Sequence, residues 1–172
     1  MKKITTRQLT ITAVFAALIF VTTAYLLHIP IGVNGGYVHL GDAFIYLAAS
    51  FLPTPLACIA SAIGAGLADA LTGSYIWVIP TIIIKPLMAV GFTCKGTKIL
   101  SKRNLLMAVV GGLICTAGYY VAEAILVGNW IAPLLAIPAG LFQPLGSLVL
   151  YYAASFALDR VGIKQKLRLG TF

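Results

Sequence analysis

Asn34-Gly35-Gly36-Tyr37-Val38-His39-Leu40-Gly41-Asp42 separates the first two apolar runs of the chain. The stretch holds three glycines that free the backbone from helix, together with Asn, Asp and one of the chain's two histidines. Polar groups therefore gather at the edge of an apolar zone, as in a loop that closes over something small. Gly35, Gly36 and Gly41 set the path of the chain, and Asn34 and His39 are the side chains suited to touch a ligand. Asp42 reads as an anchor that caps the following helix or braces the loop.

Working outward, the flanking runs belong to a chain of 172 residues, 60% apolar and only 9% charged, with a mean hydropathy of +1.01. A soluble domain carries roughly 25% charged residues. The apolar runs are continuous rather than alternating, which favours helices over a transmembrane barrel. The expected fold class is an all-α integral membrane protein, a single unit over residues 1–172. The net charge of +8 sits at the N-terminus, in one mid-chain cluster and at the C-terminus. That is the pattern of topology signals, and it argues against nucleic acid as a partner.

Six transmembrane helices are expected, at about 9–27, 40–52, 55–71, 77–95, 104–127 and 132–158. The run from Leu9 to Leu27 is long for a signal peptide and reads as a retained helix. Lys2, Lys3 and Arg7 precede the first span, Lys95, Lys98, Lys102 and Arg103 separate the fourth and fifth, and Arg160, Lys164, Lys166 and Arg168 follow the sixth. All fall on one side. The opposite loops, 28–39, 72–76 and 128–131, contain no Lys or Arg. Both termini are thus expected to be cytoplasmic, with the opening stretch on the outer face.

Charge inside the apolar runs is the most informative feature. Lys85 lies in the fourth span, Glu123 in the fifth and Asp69 near the outer end of the third. Each charge at mid-bilayer costs roughly 2.5–3.5 kcal/mol on insertion scales, so such residues face an interior, pair, or meet ligand. At about 1.5 Å per residue, Lys85 and Glu123 both fall in the outer half to middle of the membrane. Two readings stand: a buried Lys85–Glu123 ion pair, or groups that bind a polar substrate. Asp69 also fits a role in bonding the backbone of the turn that follows it. Ala13 and Ala17 share one face of the first span, and Gly64 and Ala68 repeat the spacing in the third. Such faces allow close helix approach, within the chain or to a partner.

Enzymatic chemistry finds no support. No Gly-x-Ser-x-Gly elbow and no phosphate-binding Gly-x-x-x-x-Gly-Lys-Ser/Thr loop is present. His28, His39 and Asp42 match a metal site only weakly, and Cys58, Cys94 and Cys115 lack ligand spacing. Neither a metal nor another cofactor is expected.

The stretch Gly36-Tyr37-Val38-His39-Leu40-Gly41-Asp42-Ala43 resembles the glycine–aspartate motif after the first loop in S components of energy-coupling factor (ECF) transporters. Gly64-Ala65-Gly66-Leu67-Ala68-Asp69-Ala70-Leu71-Thr72-Gly73 is similar to the end of that family's third helix. Thr81-Ile82-Ile83-Ile84-Lys85 is similar to its fourth, and Ala13 and Ala17 to its first-helix docking motif. The resemblance covers nearly the whole chain. It implies a vitamin-capture subunit in a prokaryotic plasma membrane, without enzymatic activity of its own, partnered by a transmembrane T component and two cytoplasmic ATPases. It implies the branch that takes riboflavin, hydroxymethylpyrimidine or pyridoxine-like compounds. The expected pocket uses Asn34, His39, Tyr75, Trp77, Lys85, Tyr119, Glu123, Asn129 and Gln143. That mixture of stacking faces, donors and acceptors suits a small, flat, hydroxylated heterocycle, with hydroxymethylpyrimidine and vitamin B6 ahead of the larger riboflavin. The alternative is a stand-alone secondary transporter or channel coupled through Lys85 and Glu123, against which the small size and lack of an internal repeat weigh.

Overall fold

The computed structural model describes residues 4–26, 29–31 and 36–167. It is mostly helical, at 77%. α1 (Thr6–Ala24) starts at a capping box, in which Thr5 accepts from the Gln8 amide while the Gln8 side chain accepts from the Thr5 N–H. A short antiparallel hairpin follows, β1 (Ile29–Ile31) and β2 (Gly36–Val38), with Ile29 opposite Val38. The hairpin replaces the plain loop expected from sequence, since three-residue strands are too short to show an alternating pattern. Asn34, Gly35 and His28 lie outside the described residues.

α2 (Asp42–Phe51), α3 (Thr54–Leu71), α4 (Val78–Ala89) and α5 (Lys102–Val127) come next. A turn of 3₁₀ helix at Tyr75–Trp77 leads into α4. Another 3₁₀ segment (Ala132–Ala136) and the short α6 (Ile137–Gly140) precede α7 (Phe142–Arg160), and α8 (Ile163–Lys166) closes the described chain. Four stretches are long and apolar enough to cross a membrane: α1, α3, α5 and Ala132–Arg160. The expected second span is α2, whose ten residues reach about 15 Å, half of a bilayer core. The fourth span ends at Ala89 rather than Lys95: Pro86 interrupts the helix ladder and Gly91, at φ 97°, turns the chain away. The sixth is broken at its N-terminal end, where Pro133, Pro138 and Gly140 fall close together.

α2 explains its own brevity. All of its residues but Phe44 are buried, including Asp42, Tyr46 and Ser50. A helix apolar on every side belongs inside a bundle, and α2 contacts α1, α3, α4, α5 and α7. Tyr46 stacks on Phe92 at 5.6 Å and meets Tyr151 edge-on at 5.7 Å, forming an aromatic centre below the helix start.

Glycine sets the closest helix approach. A Cβ on Gly64 of α3 would lie 2.6 Å from the Ala16 carbonyl oxygen and 2.8 Å from the Ile19 Cβ of α1. Gly64→Ala is therefore expected to lower stability by about 1–3 kcal/mol through overpacking against backbone. A drop in melting temperature of the detergent-purified protein would register it; an unchanged value would mean that α1 slides freely on α3.

At the end of the bundle carrying most of the Lys and Arg, buried polar groups tie down residues 90–101. Asn104 accepts from Thr93 N at 2.8 Å and donates to the Thr93 and Ile99 carbonyls at 2.9 and 3.0 Å. The Asp159 carboxylate accepts from Ile99 N and Leu100 N at 2.7 and 2.9 Å. Lys164 donates to the Cys94 carbonyl at 2.8 Å, and burial pulls its ammonium below the ordinary lysine range. Lys164 thus does more than signal topology.

Candidate substrate site

The opposite end of the bundle holds a cavity of about 540 Å³. Its walls come from β2, the C-terminal end of α3, the C-terminal half of α5, the 3₁₀ turn before α4, and the broken segment 132–143. Of the expected pocket residues, His39, Trp77, Tyr119, Glu123 and Gln143 line it. Tyr37, Asp69, Cys115 and Tyr120 line it as well.

The local fold aims each group. His39 is buried at the hairpin exit, and its Nδ1 accepts from Gly41 N at 2.9 Å, which places the neutral ring's proton on Nε2. Gly41 allows this turn: a Cβ there would lie 2.1 Å from the Thr23 hydroxyl. Tyr37 donates its hydroxyl to Asp69 Oδ1 at 2.5 Å, tying the hairpin to the end of α3. Burial, with the Asp69 charge beside it, pushes the Tyr37 phenol above its ordinary range and keeps it a donor. Trp77 and Tyr119 bring their rings to 5.8 Å, and the Tyr119 hydroxyl shares a 2.7 Å hydrogen bond with Thr81.

Below the cavity lies a charged cluster with a different pairing from the one expected. Lys85 donates to Asp42 Oδ1 at 2.6 Å, with the two side chains 1% and 0% exposed. Glu123 is not its ion partner. α2 starts inside the bundle and carries Asp42, in its first turn, to α4, so Asp42 is an ion partner rather than only a cap or a brace of the loop. The helix dipole favours a carboxylate at that place. Gln143 Nε2 donates to the other oxygen, Oδ2, at 2.8 Å. Cys115 Sγ lies 3.6 Å from Oδ2, and the Lys85 ammonium stands 5.1 Å from the Tyr119 ring centre.

Three expected site residues sit elsewhere. Lys85 is behind the cavity wall, its ammonium bonded to Asp42. Tyr75 is 72% exposed at the rim of the bundle, with its ring outside the cavity. Asn129 caps the following turn, its Oδ1 accepting from Ile131 N and Ala132 N at 2.8 and 3.1 Å. Asn34 is outside the described residues. Tyr37 reads in the sequence only as one of the hydrogen-bonding and stacking groups of its loop, and its place two residues before His39 is the signal that brings it to the same site.

A family model described as "ECF-type riboflavin transporter, S component" matches residues 3–160. The chain belongs to this family. A protein of Pyrococcus woesei described as "Uncharacterized protein in gap 3'region" is 34% identical over 108 residues, 62% of this chain and 72% of its own length. In this S component the matched region takes in every wall of the cavity and the charged cluster beneath it. Membership makes it a subunit of a vitamin transporter with several apolar helices in a membrane.

Proposed function

We propose that this S component captures a small, flat, hydroxylated heteroaromatic vitamin or precursor from the outer side of the membrane. It passes the ligand inward with a T component and two ATPases and does no chemistry on it. The observation that carries this is the cavity: about 540 Å³, at the end away from the Lys/Arg clusters, with Trp77 and Tyr119 as stacking faces and few polar groups among apolar ones. Binding pockets for ligands of drug size have this build and span roughly 300–1,000 Å³. The topology that fits has six crossings, with α2 and α4 as short internal ones, and both termini cytoplasmic.

Hydroxymethylpyrimidine or a B6 form is the first substrate reading, because the polar groups sit close around two aromatic rings. Riboflavin is the second, favoured by the description of the matching family model and by a cavity that does not exclude the larger ring system. Mass spectrometry of the small molecule retained after mild purification, followed by titration of the emptied protein with all three, tests both. A Kd near or below about 1 μM, or −8.2 kcal/mol, is expected for one of them. Retention and binding of none, or failure to co-purify with a T component and ATPases, would sink the proposal.

The Tyr37–Asp69 bond holds the hairpin against the cavity. Tyr37→Phe is expected to weaken binding about 5- to 10-fold, mainly through faster dissociation, since one hydrogen bond is lost. A chase of bound ligand by stopped flow measures it. An unchanged off-rate would remove the hairpin from the closing step.

A further inference from the structure

The charged cluster fixes the polarity of one wall of the cavity. Asp42 has Lys85 on Oδ1 at 2.6 Å, and a carboxylate held ionised by an ammonium can only accept hydrogen bonds. Gln143, in the first turn of α7, meets the other oxygen at 2.8 Å. A primary amide in that place has one workable orientation: its NH₂ toward Asp42 and its carbonyl away. The reverse would set two acceptors against each other in a buried site. Gln143 is only 7% exposed, lines the cavity, and its Oε1 makes no hydrogen bond to any of the described residues.

We infer that Gln143 is a specificity-determining residue that presents a fixed carbonyl acceptor to the ligand, with Asp42 and Lys85 as the positioning residues that stop the amide from turning. The site then selects a ring bearing an N–H or O–H donor on the edge that meets α7, such as an exocyclic amine, a ring hydroxyl or a ring imide N–H. A ring of the same shape with only a lone pair or C–H there leaves the buried carbonyl unmatched. This inference rests on the substrate-capture reading and adds to it which chemical edge of the ligand is read. Its physical basis is the asymmetry of amide recognition: an unlocked glutamine serves donor or acceptor alike, whereas a locked one discriminates.

The test uses the full chain in detergent and isothermal titration with hydroxymethylpyrimidine, pyridoxine and riboflavin. Whichever binds is compared with its analogue lacking the donor: the deamino pyrimidine, the 3-deoxy pyridoxine or 3-deazariboflavin, which has C–H in place of N3–H. Wild type is expected to prefer the parent by about 10- to 100-fold. Gln143→Leu should bring that ratio close to one. The double variant Asp42→Asn, Lys85→Met, which leaves no unpaired charge and whose Asn can face Gln143 with either end, should reduce the ratio while retaining binding of the analogue. Should Gln143→Leu fail to fold, Gln143→Met and this double variant carry the same comparison. A merely structural role would weaken parent and analogue equally and leave the ratio unmoved. Wild type that binds a parent without preference, or a preference that survives in folded Gln143 variants, overturns this inference alone. Wild type that binds none of the three overturns the substrate-capture reading, and this inference with it.

Discussion

Lys85→Met is expected to destabilise the protein by about 3–5 kcal/mol, the cost of leaving one member of a buried ion pair uncompensated. Asp42 is fully buried, and the groups left in hydrogen-bonding reach of it, the Gln143 amide and the Cys115 thiol, carry no positive charge, with His39 as the nearby titratable ring. At about 1.4 kcal/mol per factor of ten, that loss shifts the folded-to-unfolded ratio by roughly two to three and a half orders of magnitude. A domain at the lower end of the usual range of about 5–15 kcal/mol would retain little margin. The double variant Asp42→Asn, Lys85→Met is expected to recover most of the loss, because a neutral amide beside a thioether removes the unpaired charge while still accepting from Gln143. Glu123→Gln leaves the ion pair intact and is expected to cost less than Lys85→Met. Thermal unfolding of the four proteins in one detergent decides it. A single Lys85→Met variant as stable as wild type would show that the pair does not hold the helix junction, and a Glu123 variant as damaged would return the ion partner to Glu123.

The same cluster shows what the sequence could and could not disclose. That Lys85 is internal was legible, because an ammonium in an apolar run must find company. Its partner was not. Depth along the chain placed Lys85 and Glu123 at similar levels, but partner choice depends on which helix lies between which others. In sequence α2 resembles one more crossing, and nothing in its composition distinguishes a helix facing lipid from one surrounded by protein. Once α2 is inside, Asp42 changes from a cap to a counter-ion. The cavity wall was legible where aromatic and polar residues cluster toward the end of the bundle away from the Lys/Arg clusters, as with Trp77, Tyr119 and Gln143. It was obscured where a polar residue serves its own backbone, as Asn129 does. Capping and ligand binding draw on the same side chains, and spacing alone does not separate them.

Ala13→Trp or Ala17→Trp is expected to abolish co-purification with the T component and ATPases while leaving the isolated subunit folded and able to bind. The ground is the division of α1 into two faces. One face carries the buried residues Thr12, Ile19 and Thr23, and meets α3, where Gly64 lets the helices touch at Ala16 and Ile19. Ala13 and Ala17 are exposed, as are the neighbouring Val14 and Leu18. Methyl side chains four residues apart leave room for a second helix to come close, and within a membrane that closeness, rather than hydrophobic burial, supplies the attraction. An indole in that space forces the helices apart. If overpacking costs about 1–3 kcal/mol here as in a protein core, each substitution weakens assembly by about 5- to 150-fold, enough to lose a complex during purification. Inside the subunit the same indole meets lipid and should leave the melting temperature within about 0.5 kcal/mol equivalent of wild type. Two results would defeat the prediction in different ways. A complex that survives either substitution moves the docking face off this side of α1. A subunit that unfolds or loses its ligand makes the alanines part of the internal packing, and the partner must then approach from another helix.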